Sequence, residues 1–141
     1  MFKKILVPID VSQSDSGEAS LKVAAGLAGK TGAKLILLNV IGDIPNLVAN
    51  QLPSNYTETM EKSSAEALDE VASRNGLASG SYEVQTSHGQ IYHEIIEAAE
   101  KGGADLIVIA SHQPDVSDYL LGSTAGKVVR HAHCSVLVVR G

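Results

Sequence analysis

With no Trp, one Phe and four Tyr in 141 residues, the chain has few aromatic side chains, so its core has to be aliphatic. A single cysteine, Cys134, excludes an intrachain disulfide and suits a reducing compartment. Eleven Lys and Arg are scattered among sixteen Asp and Glu. The resulting net charge of −5 and pI near 5.4 leave no basic face to neutralise the phosphates of a nucleic acid. Long apolar runs are missing too. Met1-Phe2-Lys3-Lys4-Ile5 has the basic start of a secretory signal, but the hydrophobic stretch ends at Asp10 and Ser12, too early for a signal core or a membrane span. The expectation is a cytoplasmic protein without nucleic-acid or membrane partners. There is no G-x-x-x-x-G-K-[S/T], which excludes a P-loop nucleotidase. There is also no glycine fingerprint for a dinucleotide after the first apolar run, where Asp10-Val11-Ser12-Gln13-Ser14-Asp15 stands instead. That turn reads as the beginning of a helix, with Ser14 or Asp15 as its cap and Glu18 reaching back.

A hydrophobic content of 44% with 19% charged residues marks a globular chain rather than a disordered one. Its length suits a single domain over residues 1–141 that needs no metal or disulfide staple. Runs at 5–9, 35–40, 106–110 and 136–139 are almost continuously apolar, as strands covered on both faces are. A fifth, 82–86, alternates and suits a sheet edge. Between them lie apolar positions at helical spacing: Leu21, Ala24, Ala25 and Ala28; Ser64, Leu68, Val71 and Ala72; Ile91, Ile95 and Ala98; Ala125, Val128, Val129 and Ala132. Alternating strands and helices with right-handed crossovers predict an α/β fold, an open doubly wound parallel sheet with helices on both faces. Ligands of such sheets bind beyond the carboxyl ends of the strands, where the strand order reverses. Asp10, residues 41–43, Gly89 and residues 111–114 fall at those ends. The stretch 42–57, with Pro45 and Pro53, reads as one long irregular loop, of the kind that serves as a lid.

The most informative segment runs from Ala110 to Thr124. It leads a buried strand through Ser111-His112-Gln113-Pro114-Asp115 into a helix beginning at Gly122-Ser123-Thr124. Such a helix start offers unpaired N–H groups and a positive dipole end to an anion, a phosphate above all. The competing reading makes Ser123 the helix's own N-cap. His131, His133 and Cys134 form H-x-H-C, but no second ligand cluster accompanies them. A helix C-terminus is a better partner for the two histidines than a metal, and Cys134 reads as a small apolar residue. Ser111, His112 and Asp115 lack a nucleophile elbow and do not make a hydrolytic triad. No residue pattern guarantees a catalytic group.

Several motifs together resemble the universal stress protein family. These are Val7-Pro8-Ile9-Asp10, Leu37-Leu38-Asn39-Val40-Ile41, Ala110-Ser111-His112, Leu120-Leu121-Gly122-Ser123, and Ser135 through Arg140. The resemblance runs from Lys3 to Arg140 and is nearest to the F/G-type branch of small single-domain members. It implies a five-stranded sheet of order 3-2-1-4-5 and a stress-response protein that binds ATP, with Mg2+ as a candidate companion. Such a protein acts as a sensor or regulator with at most slow hydrolysis. It also implies that Val40 meets the adenine edge, that Pro8 and Asp10 shape the base and ribose site, and that Ala110 lines the ribose. Gly122, Ser123 and Thr124 would hold the phosphates, with His112 and the Gln113 amide bordering them. ATP-binding members resemble G-x-x-G, nine residues, then G-[S/T]. Here Ala110 and Gln113 replace both early glycines, and eight residues precede Gly122. Pro114 confines Gln113 to extended geometry and offers no N–H. Asp115 and Asp118 would repel a triphosphate unless a cation lay between them. These departures favour an alternative, a nucleotide-free dimeric interaction module. In the implied order the strand from Val136 to Val139 is an uncovered apolar edge, which predicts a homodimer paired through it.

Overall fold

The computed structural model describes residues 1–12, 17–111 and 121–140. Five strands, β1 (Lys4–Pro8), β2 (Lys34–Ile41), β3 (Tyr82–His88), β4 (Leu106–Ala110) and β5 (Ser135–Val139), pair in parallel in the order β3-β2-β1-β4-β5. Five helices connect them: α1 (Glu18–Thr31), α2 (Asn46–Ala49), α3 (Tyr56–Arg74), α4 (Ile91–Gly102) and α5 (Ser123–His131). This is the doubly wound α/β sheet that the alternation of apolar runs predicts, and the alternating run 82–86 is indeed an edge strand.

The period-two geometry of the strands divides the core into two layers. Ile5, Val7, Ile9, Leu35, Leu37 and Val108 face α1 and α3, where Leu21, Ala24, Leu68 and Ala72 cover them. Leu6, Ile36, Leu38, Ile107 and Ile109 face α4 and α5, where Ile95, Ala98, Ala99, Ala125 and Val128 meet them. Each fully buried Leu or Ile contributes about 1.5–3 kcal/mol of transfer free energy. Two positions of the helical patterns are exposed instead: Ile91 opens α4, and Val129 lies on the outer side of α5. The edge strand β5 is only half covered, with Leu137 exposed.

Three local readings need correction. The stretch 42–57 is not one irregular loop, because Val48 and Ala49 donate backbone N–H bonds to Pro45 and form the single turn α2. The cap of α1 is Gly17, at φ +82°, a conformation that suits glycine; a Cβ there would also lie 3.1 Å from Ile9. Ser14 and Asp15 lie outside the described residues. Glu18 does not reach back to the cap; its carboxylate accepts from Arg74 Nε at 2.8 Å and ties α1 to α3. A second clip lies at the amino ends of β1 and β4, where Asp105 accepts the backbone N–H of Lys3 at 2.9 Å and of Lys4 at 3.2 Å. Burial pulls the Asp105 carboxyl upward, but these backbone donors outweigh it and hold the group below the ordinary carboxylate range.

Candidate functional site

The strand order reverses at β1, which has β2 on one side and β4 on the other. Parallel strands put all their carboxyl ends on one edge, so this edge gathers the loops after β1, β2 and β4. Pro8 ends β1, half-buried and in register with Leu38. Ile9 continues the pairing by donating its N–H to Leu38 O at 2.8 Å, which carries Asp10 just past the edge. Val40 is the penultimate residue of β2 and packs on the α4–α5 layer, half-buried. Ala110 ends β4 beside Val139, and the Ser111 N–H reaches Val139 O at 3.0 Å. Pro8, Asp10, Val40 and Ala110, distant in sequence, therefore meet along three adjacent strands. His112, Gln113, Pro114, Asp115 and Asp118 lie outside the described residues.

Asp10 is exposed, and its Oδ1 accepts from both Ser12 N at 3.0 Å and Ser12 Oγ at 2.5 Å. This Asx-type turn fixes the first step of the β1–α1 loop. A carboxylate has two oxygens and about four acceptor positions, so Asp10 retains capacity for a ribose hydroxyl.

Helix α5 begins on the same edge and runs back over the sheet, with Ala125 and Val128 in the layer of Ile107 and Ile109. Its N-cap is Gly122, buried and without a side-chain capping bond, while Ser123 and Thr124 are the first helical residues. The reading of Ser123 as N-cap is thereby corrected, because the cap position falls one residue earlier, on a residue with no side chain. The first turn of α5 carries the positive end of the helix dipole to this edge.

Lys127 holds its ammonium 5.1 Å from the centroid of the Tyr92 ring. His131 lies against the same ring at 5.9 Å, and His133 Nε2 is 3.1 Å from Glu100 Oε1. His131 stands in the last turn of α5, at the helix end the sequence reading gives it, and both histidines of H-x-H-C also find side-chain partners on α4. Cys134 packs against the α4–α5 layer, and burial pushes its thiol upward, which fits the reading of it as an apolar residue. His88 ends β3 and pairs with Glu61 of α3 at 3.0 Å. Among the described residues, the group of His and carboxylates close enough to share an ion is His93, Glu94 and Glu97 on α4. There Glu97 already binds Lys101 Nζ at 2.7 Å, a hydrogen bond that holds its carboxyl low.

A buried polar chain beneath the site escapes a motif-based reading. Asn39 Nδ2 donates to Ser64 Oγ at 3.0 Å, Ser64 Oγ lies 2.9 Å from Thr86 Oγ1, and Asn39 Oδ1 accepts the Val11 N–H at 3.4 Å. The available signals were a lone amide inside an apolar strand and a serine on the apolar stripe of α3.

The architecture first defines a class, the small doubly wound α/β domains whose ligand loops gather at one edge of a parallel sheet. The family whose model matches residues 1–140 is the universal stress protein family. The chain belongs to that family. Universal stress protein G of Shigella flexneri is 32% identical over 143 residues, covering 99% of this chain and all of the relative. The structure is similar to that of universal stress protein UspA from Lactobacillus plantarum, with a TM-score of 0.75 and 28% identity over 98% of this chain and 97% of the other. A universal stress protein solved in complex with cAMP superimposes with a TM-score of 0.69 over 99% of this chain and 97% of the other; at 23% identity it speaks to the fold.

Proposed function

We propose that this protein binds an adenine nucleotide, ATP with Mg2+, at the carboxyl ends of β1, β2 and β4, and acts as a cytoplasmic stress sensor or regulator rather than a fast catalyst. The observation that carries the reading is the glycine-capped start of α5 on the edge where the strand order reverses. A nucleotide needs an adenine wall, a ribose acceptor and an anion site in one row. Val40, then Pro8 and Asp10, then Ala110, then Gly122 to Thr124 supply residue types in that sequence of roles. The relative that holds cAMP adds support, since cAMP presents the same adenine and a phosphate. His112 and the Gln113 amide are assigned to the phosphate border. Mg2+ would offset the charge of Asp115 and Asp118 beside a triphosphate, since this ion takes few protein ligands and keeps several waters.

Among the described residues of this edge, Asp10 is engaged by Ser12 through one carboxylate oxygen and Lys127 lies over Tyr92, which supports a role in binding rather than in fast catalysis. Binding is tested by denaturing purified protein, identifying any released nucleotide by chromatography, and titrating ATP with and without Mg2+ by calorimetry. Saturable heat with a one-to-one stoichiometry is expected. No released nucleotide and no heat at millimolar ATP would replace this reading with the interaction module. That second reading has its own observation in the exposed Leu137 on edge strand β5, which we assign to a homodimer contact through Val136 to Val139.

A further inference from the structure

Among the described residues that are buried, three are polar: Ser20, Asn39 and Ser64. Ser20 bonds locally to Gly17 O within its own helix turn. Asn39 and Ser64 do not; they bond each other across 25 residues, at 6% and 4% exposure, inside a layer otherwise made of Ile, Leu, Val and Ala. An amide placed there loses its water and gives up packing, so it stabilises a unique arrangement only if each polar atom is matched. It is matched. The Val11 N–H can bond only to an acceptor, which fixes the Asn39 amide with Oδ1 toward Val11 and Nδ2 toward Ser64. Among the described residues no buried side-chain polar atom is left without a partner.

We propose that Asn39 is a positioning residue for the nucleotide site, holding the Asp10–Val11 corner against β2 through a buried relay that is anchored by Ser64 on α3 and Thr86 on β3. The inference rests on the nucleotide reading above. Asp10 and Ser12 set the corner from the solvent side, and Asn39 sets it from beneath. The two bonds from Ser12 and the one to Asn39 together fix both where the corner lies and which way the Asp10 carboxylate faces. The relay has a further consequence, because Ser64 is a residue of α3. A displacement of that helix reaches the ribose wall through two hydrogen bonds, without passing through the sheet backbone.

The test uses the intact protein and two readouts: amide hydrogen exchange of Val11 followed by NMR without nucleotide, and calorimetric Kd for Mg-ATP. Asn39→Ala removes the acceptor, and Ser64→Ala removes one hydroxyl anchor and is the gentler change. Both are expected to speed Val11 exchange and weaken ATP binding by roughly fivefold to tenfold, the effect of losing about one net hydrogen bond. Exchange at core amides such as Leu6 should keep its order relative to the wild type, which separates a local release from general destabilisation. Unchanged Val11 exchange in both alanine variants, or faster exchange with an unaltered Kd, overturns the proposal. Wild-type protein that takes up no ATP overturns the nucleotide reading instead, while Val11 exchange still reports whether the relay holds the corner.

Discussion

Gly122 is the buried N-cap of α5, at the position the proposed function gives to the phosphates, so a branched side chain there would crowd the proposed phosphate position. Gly122→Val is expected to weaken ATP binding by roughly tenfold or more in calorimetry, with the fold retained by circular dichroism. Asp10→Ala removes the acceptor side chain and the Ser12 turn together, and should weaken binding by about fivefold in the same assay. At Cys134 burial favours the protonated thiol, so alkylation by iodoacetamide at pH 8 should run well below the rate of an unhindered thiol and rise to that rate in denaturant. Legibility in the sequence followed how local each role is. Val40 and Pro8 enter as site candidates through the family resemblance, whereas Gly122 is marked by the helical pattern that follows it. The cap assignment missed by one residue, since glycine and serine are both good caps and only backbone geometry decides between them. Asn39 was passed over because its partners, Val11, Ser64 and Thr86, come together only in the fold.

At the level of elements, strands were easier to read than the turns between them. The continuous apolar runs mark β1, β2 and β4, because a strand covered on both sides has few polar positions to spare, and they mark β5 as well although that edge strand is only partly covered. The stretch containing α2 could not be read this way. Its single turn depends on backbone bonds to Pro45, and Leu47 points outward at 85% exposure, so no apolar period marks it. For α3, Leu68 is fully buried in the layer that holds Leu35, Leu37 and Leu21, and Leu68→Ala should cost about 2–5 kcal/mol in denaturant unfolding. The clip at Asp105 gives a pH dependence of defined sign. Its carboxyl is held low in the folded protein, so its contribution is present above the unfolded pKa and is lost as pH falls through the folded value. Asp105→Ala should lower stability near neutrality by about 1 kcal/mol after solvent screening and flatten the acid limb of the stability curve.

For the whole molecule, the sheet order followed from the family resemblance, whereas periodicity alone reached only the class of fold. The edge position of β5 then bears on assembly. Leu137 is the exposed member of an edge strand whose neighbours Val136 and Val138 pack inward. Leu137→Glu should shift the protein from dimer to monomer in analytical ultracentrifugation at micromolar concentration, because a charge on an apolar edge discourages pairing. A wild-type protein already monomeric there would remove the proposed contact. The parallel arrangement of all five strands also divides the surface by purpose. The turns at the amino ends, including Ala78 to Gly80 with its bond from Ser81 N to Ala78 O, lie a full strand length from the carboxyl edge. A fluorophore or affinity tag carried at exposed Ser79 would ride on the back of the molecule and leave the carboxyl edge untouched, a ready handle for watching the proposed nucleotide site.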